Sequence, residues 1–293
     1  MKARIALVAL AASLATSGAL AQAPAAPQAI GEPRPVQGLR SASEVNAMLA
    51  WTTLASGARL AALRIDSPGA AALRVAIRVG ALPASATLRF SPQGDAAPVQ
   101  VAGARILEAL ARNRAAGEDG PQARTWWSPV VPGDALVLEI ELAADSDPRE
   151  LALAVPLVSH IRRWPLADAS DATGATAIVT IAGSSYACSG FLVSGRDGHV
   201  AAPYFLTAAG CVASQSGASS LQAFWARTAS GVGARLLYAS ADTQVAFVSL
   251  DEPPAASAGL ARTADAKADP ALEQWLGAGV ASSGGISRTF SFP

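Results

Sequence analysis

Two histidines and two cysteines, with a scatter of acids and hydroxyls, make up the reactive side chains of this 293-residue chain. A multi-ligand zinc or haem site needs more His or Cys ligands than His160, His199, Cys188 and Cys211 supply, so no cofactor and no metal are expected. His199 sits in the turn Arg196-Asp197-Gly198-His199, ahead of a strand pattern rather than at its end. A general base must reach the proton it takes, and a loop histidine there reads as solvent-exposed. His160 belongs to the upstream half and has no better placement. Ser283 lies in Ala281-Ser282-Ser283-Gly284-Gly285. A Ser-Gly-Gly triplet in a Gly/Ser-rich tail is by itself a weak nucleophile signal. Asp242 precedes the apolar run Val245–Leu250, where an acid also serves simply to cap a turn.

Residues 1–21 have the anatomy of a signal peptide: Lys2 and Arg4, an apolar core from Ile5 to Leu14, and Ala19-Leu20-Ala21 as a cleavage site before Gln22. Secreted or periplasmic localisation is therefore expected, in an oxidising compartment where a cysteine pair can form a disulfide. Residues 22–49 read as a low-complexity lead-in, of which 22–38, rich in Ala, Pro and Gln, should be solvated. Residues 50–165 show short alternating strands. In Leu73–Val79, Leu73, Val75, Ile77 and Val79 share one face, and Arg74 and Arg78 are expected to point to water on the other. Leu136, Leu138, Ile140 and Leu142 alternate with Glu139 and Glu141. Turn signals at Ser67-Pro68-Gly69, Ser91-Pro92-Gln93-Gly94 and Val131-Pro132-Gly133-Asp134 punctuate the runs, as in a β-sandwich. Ala104–Arg114 is a helix candidate, stopped by Gly117.

A polar linker is expected over 166–176. Beyond it, strand patterns occur at Ala177–Ile181, Cys188–Val193, Tyr204–Ala208, Leu221–Arg227, Arg235–Ala239 and Val245–Leu250. Six strands with glycine-containing turns and no helix between them fit a closed antiparallel barrel. The length allows two domains. With 51% hydrophobic and 15% charged residues, the chain is not disordered. Lys+Arg 22 balance Asp+Glu 22, without a basic run, so no nucleic-acid partner is expected. No apolar stretch of about 20 residues follows the N-terminus, so no membrane span is expected.

Cys188-Ser189-Gly190-Phe191-Leu192-Val193, then Tyr204-Phe205-Leu206-Thr207-Ala208-Ala209-Gly210-Cys211, then Asp242 to Leu250 resemble the first barrel of the chymotrypsin/trypsin-like serine proteases, in the bacterial lysyl-endopeptidase-like branch. Upstream, Leu63-Arg64-Ile65-x-Ser67-Pro68-Gly69-Ala70, Trp126-Trp127-Ser128-Pro129 and the Leu151–His160 segment look like the region that precedes these proteases. The resemblance spans about residues 50–293. It implies a disulfide between Cys188 and Cys211, the triad acid at Asp242, and the catalytic His immediately before the second cysteine. Gly210 stands there instead. On the same resemblance, Gly279 to Phe292 looks like a segment that precedes the nucleophile, so no nucleophile is assigned and Ser283 is not it. A two-barrel protease needs roughly 200 residues after the linker, and 177–293 is shorter. The domain expected over 177–293 is thus an incomplete trypsin-like protease domain.

The fold class expected is all-β: an N-terminal β-sandwich-like domain, then a trypsin-like antiparallel β-barrel, the first barrel, with the second largely missing. A serine hydroxyl is a poor nucleophile until an imidazole takes its proton, and the imidazole needs a buried carboxylate to orient it. The reading that results is a secreted trypsin-like serine endopeptidase homologue, inactive as written, whose partner is a polypeptide substrate or a protein ligand. An active endopeptidase cleaving after basic residues follows if the sequence is cut short or damaged. The third reading is a secreted β-rich binding module, with Trp126-Trp127, Trp225 and Trp275 as candidate surface aromatics; such residues more often pack cores.

Overall fold

The computed structural model describes residues 27–94, 97–163, 175–193, 204–225 and 228–252. The expected signal peptide, most of the expected linker, His199, Trp275 and Ser283 lie outside the described residues. The fold is all-β of the expected trypsin-like kind, in two modules. The first contains β1 (Gln28–Pro35), α1 (Ala42–Met48), β2 (Thr52–Thr53), β3 (Arg59–Asp66), β4 (Ala72–Ala81), β5 (Thr87–Pro92) and β6 (Val99–Ala102). It continues with α2 (Gly103–Ala115), β7 (Thr125–Trp127), β8 (Val131–Pro132), β9 (Ala135–Leu142), β10 (Ala152–Ala154) and β11 (Leu157–Ile161). The second contains β12 (Ala175–Ile181), β13 (Ser184–Val193), β14 (Tyr204–Ala208), α3 (Gln215–Ser220), β15 (Gln222–Trp225), β16 (Thr228–Ala229), β17 (Ala234–Ser240) and β18 (Val245–Leu250).

The first module is a sandwich. One sheet has the order β2-β3-β9-β5-β6, and β4 with its neighbours β10, β11, β7 and β8 faces it. Period-two alternation places the core: Ala61, Leu63 and Ile65 of β3, and Leu136, Leu138, Ile140 and Leu142 of β9, are buried. They meet Leu73, Val75 and Ile77 from β4, with Phe90, Ile106 and Trp126 filling the ends. The helix expected over 104–114 is α2, and Gly117 follows it with φ +80.

Arg74 corrects the reading of β4. Arg78 is exposed as expected, but Arg74 is fully buried, at 0% exposure. The face of β4 that the alternation leaves for water is covered by the second module, with Ala72, Ile30, Val130, Ile161, Ile178 and Phe224 in one cluster. Arg74 Nε donates to the Ser128 carbonyl at 2.8 Å and Nη1 donates to Thr180 Oγ1 at 2.9 Å. Burial pushes its pKa down to about 9, which still leaves the guanidinium charged at neutral pH. Thr180 Oγ1 and Ser159 Oγ each lie 2.8 Å from Ser185 Oγ, so a buried polar chain runs between the modules.

Residues 28–35 also depart from the sequence expectation. Their composition predicts a solvated lead-in, yet they form β1, which joins the two modules into one 13-stranded sheet. The first half of β1 pairs with β13 (Gln28↔Ala187, Ala29↔Tyr186) and the second half with β11 (Glu32↔His160, Pro35↔Leu157). Gly31 pairs with both, and a Cβ there would lie 2.9 Å from Ser159 Oγ, so the crossing admits only glycine without displacement. Pro33 and Pro35 fall where β1 has a single partner, which is where a strand tolerates the missing N–H. Residues 42–48, also inside the expected lead-in, form α1, which is capped by its own sequence: Ser41 and Glu44 make a reciprocal capping box.

The second module is an antiparallel sheet in the order β15-β12-β13-β14-β18-β17. It curls around Phe205, Trp225, Val248 and Ala246. The strand pattern predicts a closed barrel, but no ladder joins β15 to β17 among the described residues. β15 pairs instead with the two-residue β16. The gap is spanned by Gly233 N–H to the Leu221 carbonyl, 2.9 Å, and by Gln215 of α3, a short helix between β14 and β15 where the strand pattern predicts none. The Gln215 side chain accepts from Leu236 N–H at 2.9 Å and donates to the Ala234 carbonyl at 3.0 Å, standing in for a strand partner of β17. Helix α2 of the first module packs on α3: Glu118 accepts from the N–H groups of Gln215 and Ser216, and Ser219 Oγ donates to Asn113 Oδ1 at 2.7 Å. Arg105–Glu252 (2.9 Å) and Arg112–Asp251 add ion pairs on the same side. Among the described residues no helix is long and apolar enough to cross a membrane.

Candidate functional site

The two cysteines form a disulfide, Cys188–Cys211, with a Cα–Cα separation of 6.3 Å. It ties β13 to the turn that follows β14, and both cysteines are buried. Gly190, two residues after Cys188, pairs with Thr207 of β14. A Cβ at 190 would lie 2.2 Å from Phe205 Cζ and 2.7 Å from the Leu206 carbonyl oxygen. Glycine in the Cys-Ser-Gly segment is thus a packing requirement of the aromatic that fills the sheet.

Gly210 is a different case. It is exposed in the turn after β14, its φ is not in the left-handed region, and among the described residues a Cβ would meet nothing nearer than Pro27 at 3.6 Å. Neither backbone nor space demands glycine there. That turn is held by Cys211 N–H to the Ala208 carbonyl, 3.0 Å. It abuts the 241–244 turn, since Ala208 pairs with Val245 and Ala209 N–H donates to the Gln244 carbonyl at 3.0 Å. The folding of β14 against β18 therefore brings the turns of Gly210 and Asp242 to one end of the sheet. Asp242 is exposed, and no described residue hydrogen-bonds or ion-pairs its carboxylate. A carboxylate that orients an imidazole works from a buried, hydrogen-bonded position. The arrangement presents an acid in water beside an empty side-chain position.

The described histidine lies elsewhere. His160 on β11 is 2% exposed, and its Nδ1 is 2.8 Å from Ser67 Oγ, itself 3% exposed. Burial holds its pKa below the usual histidine value, with Arg34 and Arg162 adding to that and Glu32 opposing it. A Ser–His pair with no surface access has no substrate to act on. It pins the Ser67-Pro68-Gly69 turn to β11, and Ser67 N–H donates to the Asp134 carbonyl at 2.7 Å. Sequence reasoning missed this pair because 93 residues separate its members. Trp126, Trp127 and Trp225 are buried, the first against Phe90 and the last edge-on to Phe205, so these candidate surface aromatics are core. Among the described residues no three His, Cys, Asp or Glu side chains cluster as metal ligands.

Comparison with known proteins gives matches over both modules. The family model described as "Lysyl endopeptidase N-terminal domain" matches residues 5–162, and that described as "Lysyl endopeptidase, C-terminal domain" matches 162–273. A lysyl endopeptidase of Pseudomonas aeruginosa is 30% identical over 248 residues, covering 72% of this chain and 49% of that protein. The chain thus spans about half the length of that relative. No solved structure matches.

Proposed function

The chain belongs to the lysyl endopeptidase family, and from that premise we propose that it is an exported serine-endopeptidase homologue without a general base in its protease module. The observation that carries this is Gly210. It occupies the position before Cys211, at the disulfide, where the family resemblance places the catalytic histidine. Among the described residues the turn leaves room for a Cβ, which supports reading the missing imidazole as a property of the sequence rather than a demand of the fold. His160 is committed to Ser67 in the other module. Asp242, in the adjoining turn, is then a retained acid without a base to orient. Loss of the base lowers kcat on the order of a millionfold in subtilisin.

Export is part of the proposal. It is supported by the anatomy of residues 1–21 and by a disulfide that suits an oxidising compartment. The partner is a polypeptide, held as a ligand rather than cleaved. The balanced charge of the chain favours this over nucleic acid. Purified protein should turn over neither Lys- nor Arg-ester substrates above buffer and should take no label from a fluorophosphonate probe. Labelling of any serine, with ester turnover that the probe abolishes, would refute the inactive reading. N-terminal sequencing of exported material should give Gln22 as its first residue; intact Met1 in the cytoplasm would refute export.

A further inference from the structure

A groove of about 650 Å³ runs along the first module, between α1, the residue preceding β2, the start of β3 and the loop after β9. Trp51 lines it. Unlike the buried Trp126, Trp127 and Trp225, Trp51 is half-buried: it packs against the sandwich core and also borders the groove. Around it stand Asn46, Arg59, Asp145, Asp147 and Arg149. Asn46 uses one amide hydrogen on the Leu151 carbonyl, and Arg59 uses Nη1 on the Ser146 carbonyl. Asp147 uses one oxygen to accept the Arg149 N–H. Each keeps further donors or acceptors for a ligand.

Two arginines and two aspartates leave this lining without net charge. A cationic ligand meets Arg59 and Arg149, and an anionic one meets Asp145 and Asp147, so neither sign is favoured. Peptide capture by strand addition needs a long free edge, and β2 beside Trp51 has only two residues. What matches an aromatic face, paired acceptors, planar donors and zero net charge is a ring with an apolar C–H face and a rim of hydroxyls. We propose that this groove binds a neutral oligosaccharide, with a pyranose ring on Trp51 and its hydroxyls shared among Asp145, Arg59 and Asn46.

The test is titration of the purified full chain, followed by calorimetry and tryptophan fluorescence. Probes are cellotetraose, chitotetraose and maltotetraose, with a heparin tetrasaccharide and tetralysine as charged comparators. At least one neutral probe should bind with a Kd on the order of 1 mM, as suits an open groove. Trp51→Ala should weaken it about tenfold or more, and Asp145→Asn, an exposed position that does not support the fold, severalfold with the melting temperature unchanged. Three results overturn the proposal: no neutral probe binding up to about 10 mM, tighter binding of either charged probe, or binding indifferent to Asp145→Asn. Asp145→Asn decides the matter even if Trp51→Ala fails to fold. The outcome is independent of whether the protease module has activity.

Discussion

In the first module two sheets face each other across Leu63, Val75, Ile77 and Leu138, and every buried residue of that core comes from the module's own strands, helices and loops. In the second, a single sheet curls around Phe205 and Val248 and stops short of itself between β15 and β17. The contrast extends to the helices. Helix α1 caps its N-terminus with Ser41 and Glu44, three residues apart, whereas α3 takes Glu118 from 97 residues away, besides its own Ser214. The second module is therefore completed by parts lent by the first: β1 on its sheet, α2 on its open side, and the Arg74 guanidinium on Thr180. What differs is the sequence range over which each core is satisfied, and that range decides what a local change can disturb.

The largest expected effect tests whether the disulfide compensates for the open side. Replacing Cys188 and Cys211 together by alanine releases a constraint across 23 residues of sequence. On the chain-entropy estimate that costs about 3 kcal/mol. Hydrogen exchange should show lost protection in β13, β14 and β18 while β3 and β9 keep theirs. Equal loss in both modules would show that the joined sheet unfolds as one unit and would erase the contrast.

The same range explains what can be read in advance. The alternation of β9 and the helix of α2 are set by neighbours in sequence, so composition and period suffice. β1 escapes because its sequence, with Gly31, Pro33 and Pro35 in eight residues, has little strand character of its own; it is a strand because β11 and β13, far along the chain, offer edges on either side. Arg74 escapes because alternation identifies two faces of a strand and says nothing of a second module that covers the outer one. The open edge of the barrel depends on Gln215 taking strand-like hydrogen bonds with its side chain, which no strand pattern encodes. At the candidate site, the cysteine pair and the turn holding Gly210 are visible through the family resemblance. The exposure of Asp242 and the Ser67–His160 pair are not, since both are products of long-range packing.

Acidification should weaken the first module through His160. Its folded pKa is depressed, so between that value and about 6.5 the unfolded chain binds a proton that the folded chain does not. Stability therefore falls as pH drops below about 6.5 and levels off under the folded pKa, with a slope of at most about 1.4 kcal/mol per pH unit for one proton. Arg34, Arg162 and Glu32 surround the ring, and Glu32, its own pKa lowered chiefly by its hydrogen bond from Arg34, stays charged through this window. Melting temperature followed from pH 7.5 to 5 should decline in the parent protein. His160→Gln keeps a partner for Ser67 and should remove this part of the decline; an unchanged pH profile would rule out His160 as its source.

A smaller effect separates the borrowed cap from the self-supplied one. Glu118→Gln removes the charge that accepts from the Gln215 and Ser216 N–H groups at the N-terminus of α3. The expected loss is about 1 kcal/mol, read as a lower denaturation midpoint for the second module. Glu44→Ala in α1, which removes the acceptor of the Ser41 N–H, should cost a similar amount, with faster exchange confined to α1 and its neighbours. If Glu118→Gln also loosened β3 and β9, the modules would not be separable.

The smallest effect is expected at Gly210, and the enclosed Gly190 in the same module is its control. Gly190→Ala forces Phe205 aside and should cost about 1–3 kcal/mol, as overpacked cores do. Gly210, the residue preceding Cys211, is exposed, has an ordinary φ, and a Cβ there keeps 3.6 Å from Pro27. A Cβ therefore fits at 210 without displacing any described backbone. Gly210→His should change stability by no more than about 0.5 kcal/mol, the range of surface substitutions away from special features. Differential scanning calorimetry of the two variants side by side decides the matter. A large loss from Gly210→His would mean that the turn requires glycine, and the missing imidazole would then be a consequence of the fold. Near-parental stability would leave the glycine without a structural reason, as expected of a position freed from a catalytic role.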